Sequence, residues 1–238
     1  MRIGIVGTTG FIGNNLLEVL KKEHKVHEIT QENLHWDITK MRSYNTVINA
    51  AGQAAKFQAE KDPICDLRAN VELLYKIKRN LEFDQFIHIS SIDAYGDGIY
   101  GLHKGFAEDV VRRIMPKHTI LRCGSVIGPG LKKGVVYDML NNLPIRVSSN
   151  SKLQLITTSA ISQAVNNSLK FNSGTVLCAG TPIFIEDIAK LLGREITEFG
   201  TNEQIYNVSE AVNQNIINLK TSEDYLKEFI NERMEQSA

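Results

Sequence analysis

The chain has 238 residues, of which 42% are hydrophobic and 23% are charged. This composition is ordinary for a globular protein, and the length favours one large domain with a small appendage over two equal domains. Lysines plus arginines equal aspartates plus glutamates at 27 each. Without a basic excess, neither nucleic acid nor a membrane surface is expected as a partner.

The three cysteines, Cys65, Cys123 and Cys178, are too scattered for a disulfide framework or a metal site. Such sparse cysteines indicate a reducing compartment. A glycine loop begins at Gly7, too early for a secretory hydrophobic segment. No apolar run approaches the ~18 residues that a membrane helix needs. We therefore expect a cytoplasmic protein that binds no metal.

Short apolar runs alternate with helical stretches along most of the chain. The predicted strands are 3–6, 25–29, 46–50, 86–90, 119–123, 152–158 and 175–179. The predicted helices are 11–22, 63–80, 100–114, 159–170, 186–192 and 222–234. Strands separated by helices imply right-handed crossovers and a parallel sheet. The predicted fold is a doubly wound α/β Rossmann sheet with a small, mostly helical C-terminal lobe.

A glycine loop follows the first strand directly and opens the first helix. Its first glycine, Gly7, permits a tight turn, and Gly10 lets the backbone approach a pyrophosphate. Gly13 allows the helix to pack closely on the strand. The N-terminus of the helix then offers free N–H groups to phosphates. The predicted phosphate-binding residues are Gly7, Thr9, Gly10, Phe11, Ile12 and Gly13.

The Gly-x-x-Gly-x-x-Gly spacing resembles that of the extended short-chain dehydrogenase/reductase superfamily, in its NAD-dependent epimerase/dehydratase branch. By this resemblance, Asp37 and Ile38 would contact the adenine ring. The stretch Asn49-Ala50-Ala51-Gly52 would line the dinucleotide cleft. Asp37 has an alternative interpretation as the cap of the next short helix. The resemblance extends to about residue 195.

Residues 90–96 and 100–104 resemble two catalytic elements of this superfamily, Ser-Ser-x-x-x-Tyr-Gly and Tyr-x-x-x-Lys. The resemblance makes Ser91 the catalytic hydroxyl, Tyr100 the acid/base and Lys104 its partner, with Ser90, Tyr100 and Lys104 also facing the cofactor. A tyrosine has an unperturbed pKa near ~10. We expect Lys104, one helical turn away, to lower the pKa of Tyr100. The alternative is an incidental surface pair.

Three further polar residues have a weaker claim to the site. Asn70 resembles a helix asparagine that supports the site in this family, although it is equally consistent with an ordinary polar helix residue. His88 is predicted to lie in a buried strand. His103 is expected to face solvent, and neither histidine is the predicted base.

Residues 121–129 resemble the Leu-Arg-x-x-x-x-x-Gly-Pro stretch of nucleotide-sugar epimerases, dehydratases and reductases. Arg146 is the preferred candidate for clasping a diphosphate, ahead of Arg112, Arg113, Lys132 and Lys133. The predicted substrate-binding residues are Ser91, Asp93, Cys123, Gly124, Ser125 and Arg146. By the same resemblance, residues 1–128 and 153–180 would form the NAD(P)-binding domain, and residues 129–152 and 181–238 a small substrate-binding lobe.

The chain departs from the family in two ways. Ser91 and Tyr100 are only nine residues apart, so a longer active-site loop of the family is missing. Ile92-Asp93 replaces the Asp-Glu pair typical of sugar dehydratases, which places dehydration below epimerisation or reduction.

The predicted function is an NAD(P)-dependent epimerase or reductase acting on a nucleotide sugar. The alternatives are a reductase of a small non-sugar carbonyl and a catalytically silent NAD(P)-binding sensor or scaffold. NAD is slightly preferred over NADP, although Glu28 comes early for a ribose-binding carboxylate. The resemblance also implies a homodimer formed through helices 63–80 and 100–114.

Overall fold

The computed structural model describes residues 1–34, 42–172, 174–209 and 213–237. Its strands are β1 (Arg2–Val6), β2 (Lys25–Ile29), β3 (Arg42–Asn49), β4 (Leu81–Ser91), β5 (His118–Cys123), β6 (Ser125–Ile127), β7 (Ile145–Val147), β8 (Lys152–Leu153), β9 (Leu155–Thr157), β10 (Gly174–Cys178), β11 (Ile183–Phe184) and β12 (Phe199–Asn202). Its α-helices are α1 (Phe11–Leu20), α2 (Gln31–Leu34), α3 (Lys56–Lys61), α4 (Pro63–Leu67), α5 (Leu73–Asn80), α6 (Gly98–Ile114), α7 (Val135–Leu140), α8 (Thr158–Ser168), α9 (Ile185–Leu191) and α10 (Ser222–Ser237).

Six parallel strands form the central sheet in the order β2-β1-β3-β4-β5-β10. Helices cover both faces of this sheet. Neighbouring residues of each strand point to opposite sides, so each strand contributes apolar side chains to both faces. On one face, Ile48 and Ile87 join a buried cluster with residues of α1 and α8. On the other, Val47 and Phe86 join a cluster with residues of α5 and α6. The predicted doubly wound α/β fold is confirmed.

The strand order reverses beside β1. The chain passes from β1 to β2 on one side, and then returns to place β3 on the other side of β1. The loops that leave the carboxyl ends of β1 and β3 therefore diverge, which opens a crevice where this class of sheet binds ligands.

The predicted helix over residues 63–80 is divided in the structure. It comprises α4, a π-helical turn at Arg68–Glu72, and α5. Asp62 caps its start by accepting a hydrogen bond from the Cys65 amide at 2.9 Å, with Pro63 in the first turn. The wider turn contains Asn70 and is the kind of local widening often found near functional sites.

A third buried cluster lies beyond the sheet and draws on α7, α9 and α10. The predicted helices of this region correspond to α9 and α10. Short strands add to the predicted helices, since β12 pairs with β7 and β11 pairs with β8. Among the helices of the described residues, none has the length and apolar character to cross a membrane.

Candidate active site

A cleft of about 600 Å³ opens at the carboxyl ends of the sheet strands. Its volume falls in the usual range for small-molecule sites. One end is formed by the glycine loop, the middle by the ends of β4 and β5, and the other end by α7 and β7. In the described part of the chain, no group of three or more potential metal ligands occurs together.

The glycine loop is packed too tightly for side chains at two of its glycines. Gly7 has a φ of +91°, and a Cβ there would lie 2.6 Å from the Ala51 amide nitrogen. A Cβ on Gly13 would lie 2.1 Å from the Gly7 carbonyl oxygen. Gly10, Phe11 and Ile12, at the end of the loop and the start of α1, line the cleft. This cradle fits a pyrophosphate at a helix N-terminus.

Asn49 supports the opposite wall of the same crevice. Its Oδ1 accepts a hydrogen bond from the Ala51 amide at 3.2 Å, and its Nδ2 lies 3.2 Å from Nδ1 of His88. Asn49 is 1% exposed, so it shapes the turn through Ala50, Ala51 and Gly52 from beneath. Those three residues line the cleft themselves.

Ser91, Tyr100 and Lys104 converge on the centre of the cleft. Ser91 ends β4, whereas Tyr100 and Lys104 lie one turn apart on the buried face of α6. The Nζ of Lys104 lies 5.7 Å from the centroid of the Tyr100 ring, and Ser91 is hydrogen-bonded to the Tyr100 hydroxyl. The arrangement can hold a substrate oxygen between two hydroxyl groups, with a cation nearby.

The protonation of this pair differs from the sequence-based expectation. Burial raises the pKa of Tyr100 above its ordinary value, and the hydrogen bond with Ser91 only partly opposes this effect. The expected lowering by Lys104 is therefore wrong for the net shift, because removal of the phenol from water is the larger effect. Burial also lowers the pKa of Lys104 to about 8.

The short segment between Ser91 and Tyr100 is anchored by Tyr95. This residue adopts a left-handed conformation with φ of 64°, which turns the chain quickly back into α6. Its hydroxyl donates to Asp109 at 2.7 Å and accepts from Arg112 at 2.7 Å. The segment is also held by a hydrogen bond from the Ile99 amide to the Glu60 carboxylate of α3 at 2.8 Å.

Asp93 lies in a polar cluster that sequence reasoning found only in part. One carboxylate oxygen, Oδ1, accepts hydrogen bonds from Lys56 at 2.6 Å and from the Tyr206 hydroxyl at 2.9 Å. The other, Oδ2, accepts from Ser91 at 3.2 Å. Lys56 also contacts the Tyr206 hydroxyl. All four residues line the cleft, and no motif in the sequence signalled Lys56 or Tyr206.

The segment that carries Tyr206 is held across the cleft by Gln154. The buried Gln154 side chain donates to the carbonyls of Gly180 and Val208 and accepts from the Val208 amide at 2.8 Å. Lys152 adds two backbone hydrogen bonds, to Gln204 at 2.8 Å and from Tyr206 at 3.1 Å. These contacts fix the backbone of the segment, so that the Tyr206 side chain reaches Asp93.

Glu108 forms a buried network directly behind the site. Its carboxylate accepts hydrogen bonds from Ser90 at 2.7 Å, from Arg112 at 2.7 Å and from two nitrogens of Arg122. The Ser90 hydroxyl, predicted to face the cofactor, donates to Glu108, although Ser90 still lines the cleft. This network joins α6 to β4 and β5 at the position of Ser91.

Asp66, Asn70 and His103 form a second buried group. Asp66 accepts hydrogen bonds from Asn70 at 3.1 Å, and its other oxygen lies 2.8 Å from Nδ1 of His103. The expectation that His103 faces solvent is wrong, since it is 7% exposed. The π-helical turn and the packing of α4 on α6 bring these residues together, which no local pattern predicts.

The cleft brings most of the predicted site residues together. Those that line it are Gly10, Phe11, Ile12, Ala50, Ala51, Gly52, Ser90, Ser91, Asp93, Tyr100, Lys104, Cys123, Gly124, Ser125 and Arg146. Those that do not are Gly7, Thr9, Gly13, Asn49 and Asn70. Asp37 and Ile38 lie outside the described residues. Arg146 is exposed at the far end of the cleft, together with Lys133.

Solved structures with the same fold include epimerases in complex with nucleotide sugars. A mutant of the UDP-glucuronic acid 4-epimerase from Bacillus cereus, in complex with UDP-4-deoxy-4-fluoro-glucuronic acid and NAD, is 17% identical. The match covers 99% of this chain and 100% of that one, with a TM-score of 0.79. RMD from Pseudomonas aeruginosa, complexed with NADPH, is 18% identical over 97% of this chain and 99% of that one, with a TM-score of 0.76.

The UDP-glucose 4-epimerase of Thermotoga maritima, with UDP-glucose, is 16% identical over the full length of both chains, with a TM-score of 0.76. At these identities the likeness shows the fold alone. A search among curated proteins found no match. The family model described as "NAD dependent epimerase/dehydratase family" matches residues 3–209. The chain therefore belongs to the NAD-dependent epimerase/dehydratase family of extended short-chain dehydrogenases/reductases.

Proposed function

We propose that this protein is an NAD-dependent epimerase or reductase that acts on a sugar carbon of a nucleotide sugar. The convergence of Ser91, Tyr100 and Lys104 in one cleft with the glycine loop carries this proposal. A bound nicotinamide dinucleotide supplies hydride transfer. Gly10, Phe11 and Ile12 would hold its pyrophosphate.

The catalytic roles follow from the positions of the three side chains. The Ser91 hydroxyl, which donates to Asp93 in this structure, would turn to donate to the reacting sugar oxygen. Tyr100 would give a proton to that oxygen or take one from it. Because burial raises the pKa of Tyr100, the protonated phenol is the form suited to the reduction step, and the oxidation step requires its phenolate. The Lys104 ammonium favours the phenolate when the proton leaves, and it would also hold the nicotinamide ribose.

The far end of the cleft supports a substrate larger than a simple carbonyl. Arg146 and Lys133 lie there, and exposed cations of this kind suit a diphosphate. We propose that residues 129–152 and 181–238 form the substrate-binding lobe around this end. A small non-sugar carbonyl would carry no diphosphate for these cations to bind.

Glu28 favours NAD over NADP. Its carboxylate accepts a hydrogen bond from the Thr8 hydroxyl at 2.7 Å, which places it beside the glycine loop at the end of β2. A carboxylate there accepts hydrogen bonds from ribose hydroxyls and repels a 2′-phosphate. The Glu28→Ser variant should therefore bind NAD more weakly than the unmodified protein. Titration should also show a smaller ratio between its dissociation constants for NADP and NAD.

Exposed apolar side chains support a homodimer. Leu102 and Phe106 lie one turn apart on α6 and are each 44% exposed, while Tyr75 on α5 is 53% exposed. Apolar side chains clustered on neighbouring helices are typical of an interface. Light scattering should give twice the chain mass, and the Leu102→Glu change should give the monomer.

The main test identifies the dinucleotide and then the hydride transfer. The purified protein is denatured with acid, and any released nucleotide is identified by mass spectrometry. Fresh protein is then incubated with UDP-glucose or UDP-glucuronic acid, and bound NADH is followed by fluorescence. Tightly held NAD that these sugars reduce reversibly supports an epimerase. Consumption of added NADH with a 4-keto nucleotide sugar as the hydride acceptor supports a reductase.

Matched tyrosine variants decide whether the cleft is catalytic. Tyr100→Phe should abolish turnover and keep NAD affinity, whereas Tyr75→Phe should retain both. Loss of about 10²- to 10⁴-fold is usual when a general acid is removed. Turnover by Tyr100→Phe at the unmodified rate would remove this residue from the mechanism, and failure to bind any nicotinamide dinucleotide would overturn the proposal.

A further inference from the structure

Asp66 and His103 form a buried polar pair that the proposed mechanism does not use. Asp66 on α4 is 1% exposed and His103 on α6 is 7% exposed. Nδ1 of His103 lies 2.8 Å from Oδ2 of Asp66. Burying a carboxylate is costly unless its oxygens are paired. The pair therefore joins α4 to α6, the helix that carries Tyr100 and Lys104.

The second oxygen of Asp66 determines how the Asn70 side chain is oriented. Nδ2 of Asn70 donates to Oδ1 of Asp66 at 3.1 Å and to the Asp66 carbonyl at 3.1 Å. With its donor end held, the amide directs Oδ1 the other way. This Oδ1 is buried and has no hydrogen-bond partner among the described residues.

The unpaired oxygen of Asn70 and the Lys104 ammonium face the same point of the backbone. A Cβ built on Gly52 would lie 2.5 Å from Oδ1 of Asn70 and 3.3 Å from Nζ of Lys104. Gly52 itself lines the cleft. An acceptor and a cation thus bracket this edge of the site, and Asp66 holds the acceptor in place.

We propose that Asp66 and His103 are positioning residues that hold Asn70 beside Lys104 and supply a negative charge facing the Lys104 ammonium. This inference rests on the proposed function, in which Lys104 contacts the nicotinamide ribose. Asp66 on α4 and His103 on α6 do not line the cleft themselves, so both act through Asn70 and Lys104.

The charges around Lys104 support this role for Asp66. Asp66, Cys123, Glu108 and Asp93 all raise the pKa of Lys104, and Asp66 acts most strongly among them. Tyr100 lies on the same helix, and the buried His88 of β4 faces Lys104 from the sheet.

The other carboxylates near Lys104 already have permanent cations of their own. Glu108 binds Arg112 and Arg122, and Asp93 binds Lys56. The partner of Asp66 is a histidine, which is charged only when protonated. The negative charge of Asp66 is therefore neutralised less by its own partner, and more of its electrostatic attraction acts on the Lys104 ammonium.

The test measures NADH affinity by fluorescence titration between pH 6 and pH 9, so it needs no sugar substrate. In the unmodified protein, affinity should fall as pH rises through the Lys104 pKa of about 8, because only the ammonium donates all its hydrogen bonds. Asp66→Asn should lower the midpoint by roughly one pH unit. Glu72→Gln removes an exposed carboxylate from the same helical segment and should behave as the unmodified protein.

Two variants of His103 test the pair if Asp66→Asn fails to fold. His103→Leu leaves one Asp66 oxygen unpaired and should weaken NADH binding about tenfold, the order expected for an unsatisfied buried group. His103→Asn keeps a donor near the same place and should restore most of that affinity.

Two results separate this inference from the proposed function. Unmodified NADH affinity and pH midpoint in both His103→Leu and a folded Asp66→Asn would overturn the positioning role, while Tyr100→Phe remained inactive. Failure of the unmodified protein to bind NADH would overturn the proposed function and this inference together.

Discussion

Replacing Glu108 with glutamine should cost much of the stability of the fold. The Glu108 side chain is fully buried, and every contact it makes in the network is with a donor. Oε1 accepts from Ser90 at 2.7 Å and from Arg122 at 2.9 Å. Oε2 accepts from Arg112 and Arg122, each at 2.7 Å. The glutamine amide would turn an N–H₂ group toward one of these donors.

The size of the loss follows from the number and burial of these contacts. Hydrogen bonds to charged groups contribute about 1.5–3 kcal/mol each, and breaking a buried ion pair costs about 3–5 kcal/mol. Arg112 has a third of its side chain exposed, so water screens its share. We expect the Glu108→Gln variant to lose about 3 kcal/mol, a large part of the ~5–15 kcal/mol typical of a domain.

Urea unfolding at neutral pH, followed by circular dichroism, measures this loss. The control is Asp109→Asn on the same helix, whose exposed ion pair with Arg112 should contribute less than about 1 kcal/mol. A loss for Glu108→Gln no larger than that of the control would refute the reasoning. It would mean that the arginines find other partners or that water enters the network.

Three further outcomes are expected. Gly13→Ala should weaken NAD binding and lower the melting temperature, because its Cβ would lie 2.1 Å from the Gly7 carbonyl oxygen; unchanged values would show that the loop can move. Tyr206→Phe removes a donor to Asp93 and should raise KM for the nucleotide sugar more than it lowers kcat, as steady-state kinetics would show. Burial lowers the pKa of His88 to about 3, so the unfolded chain takes up a proton first, and stability present above pH ~6.5 should be lost as pH falls toward 3. The stability of the unmodified protein and that of His88→Gln should depend differently on pH over this range, as acid titrations would show. Identical curves would contradict the lowered pKa of His88.

The order of strands and helices was predictable because it depends on local patterns. The apolar runs of β1, β4 and β5 and the helical repeat of α6 are visible in the sequence, and the glycine loop marks the point where β1 turns into α1. The spacing of Tyr100 and Lys104 already places them on one helix face. Their common cleft with Ser91 then follows from the parallel sheet, whose strands all end at the same edge.

The predicted helix over residues 63–80 shows where local patterns stop. Its boundaries agree with α4 through α5, but the π-helical turn that turns Asn70 toward Gly52 was not predicted. The net pKa of Tyr100 was also predicted in the wrong direction, because spacing identifies the nearby cation but not the loss of water around the phenol.

By itself, the sequence determined the fold class, the glycine loop after β1 and the spacing that places Tyr100 and Lys104 on one helix face, since each depends on residues close together in the chain. Only the tertiary structure decided which distant residues complete the cleft. Lys56 and Tyr206 meet at Asp93 across 150 residues, and Asp66 meets His103 across 37. Such pairs leave no periodic signal, because their contact depends on how helices and loops pack over the sheet rather than on the local conformation of the backbone.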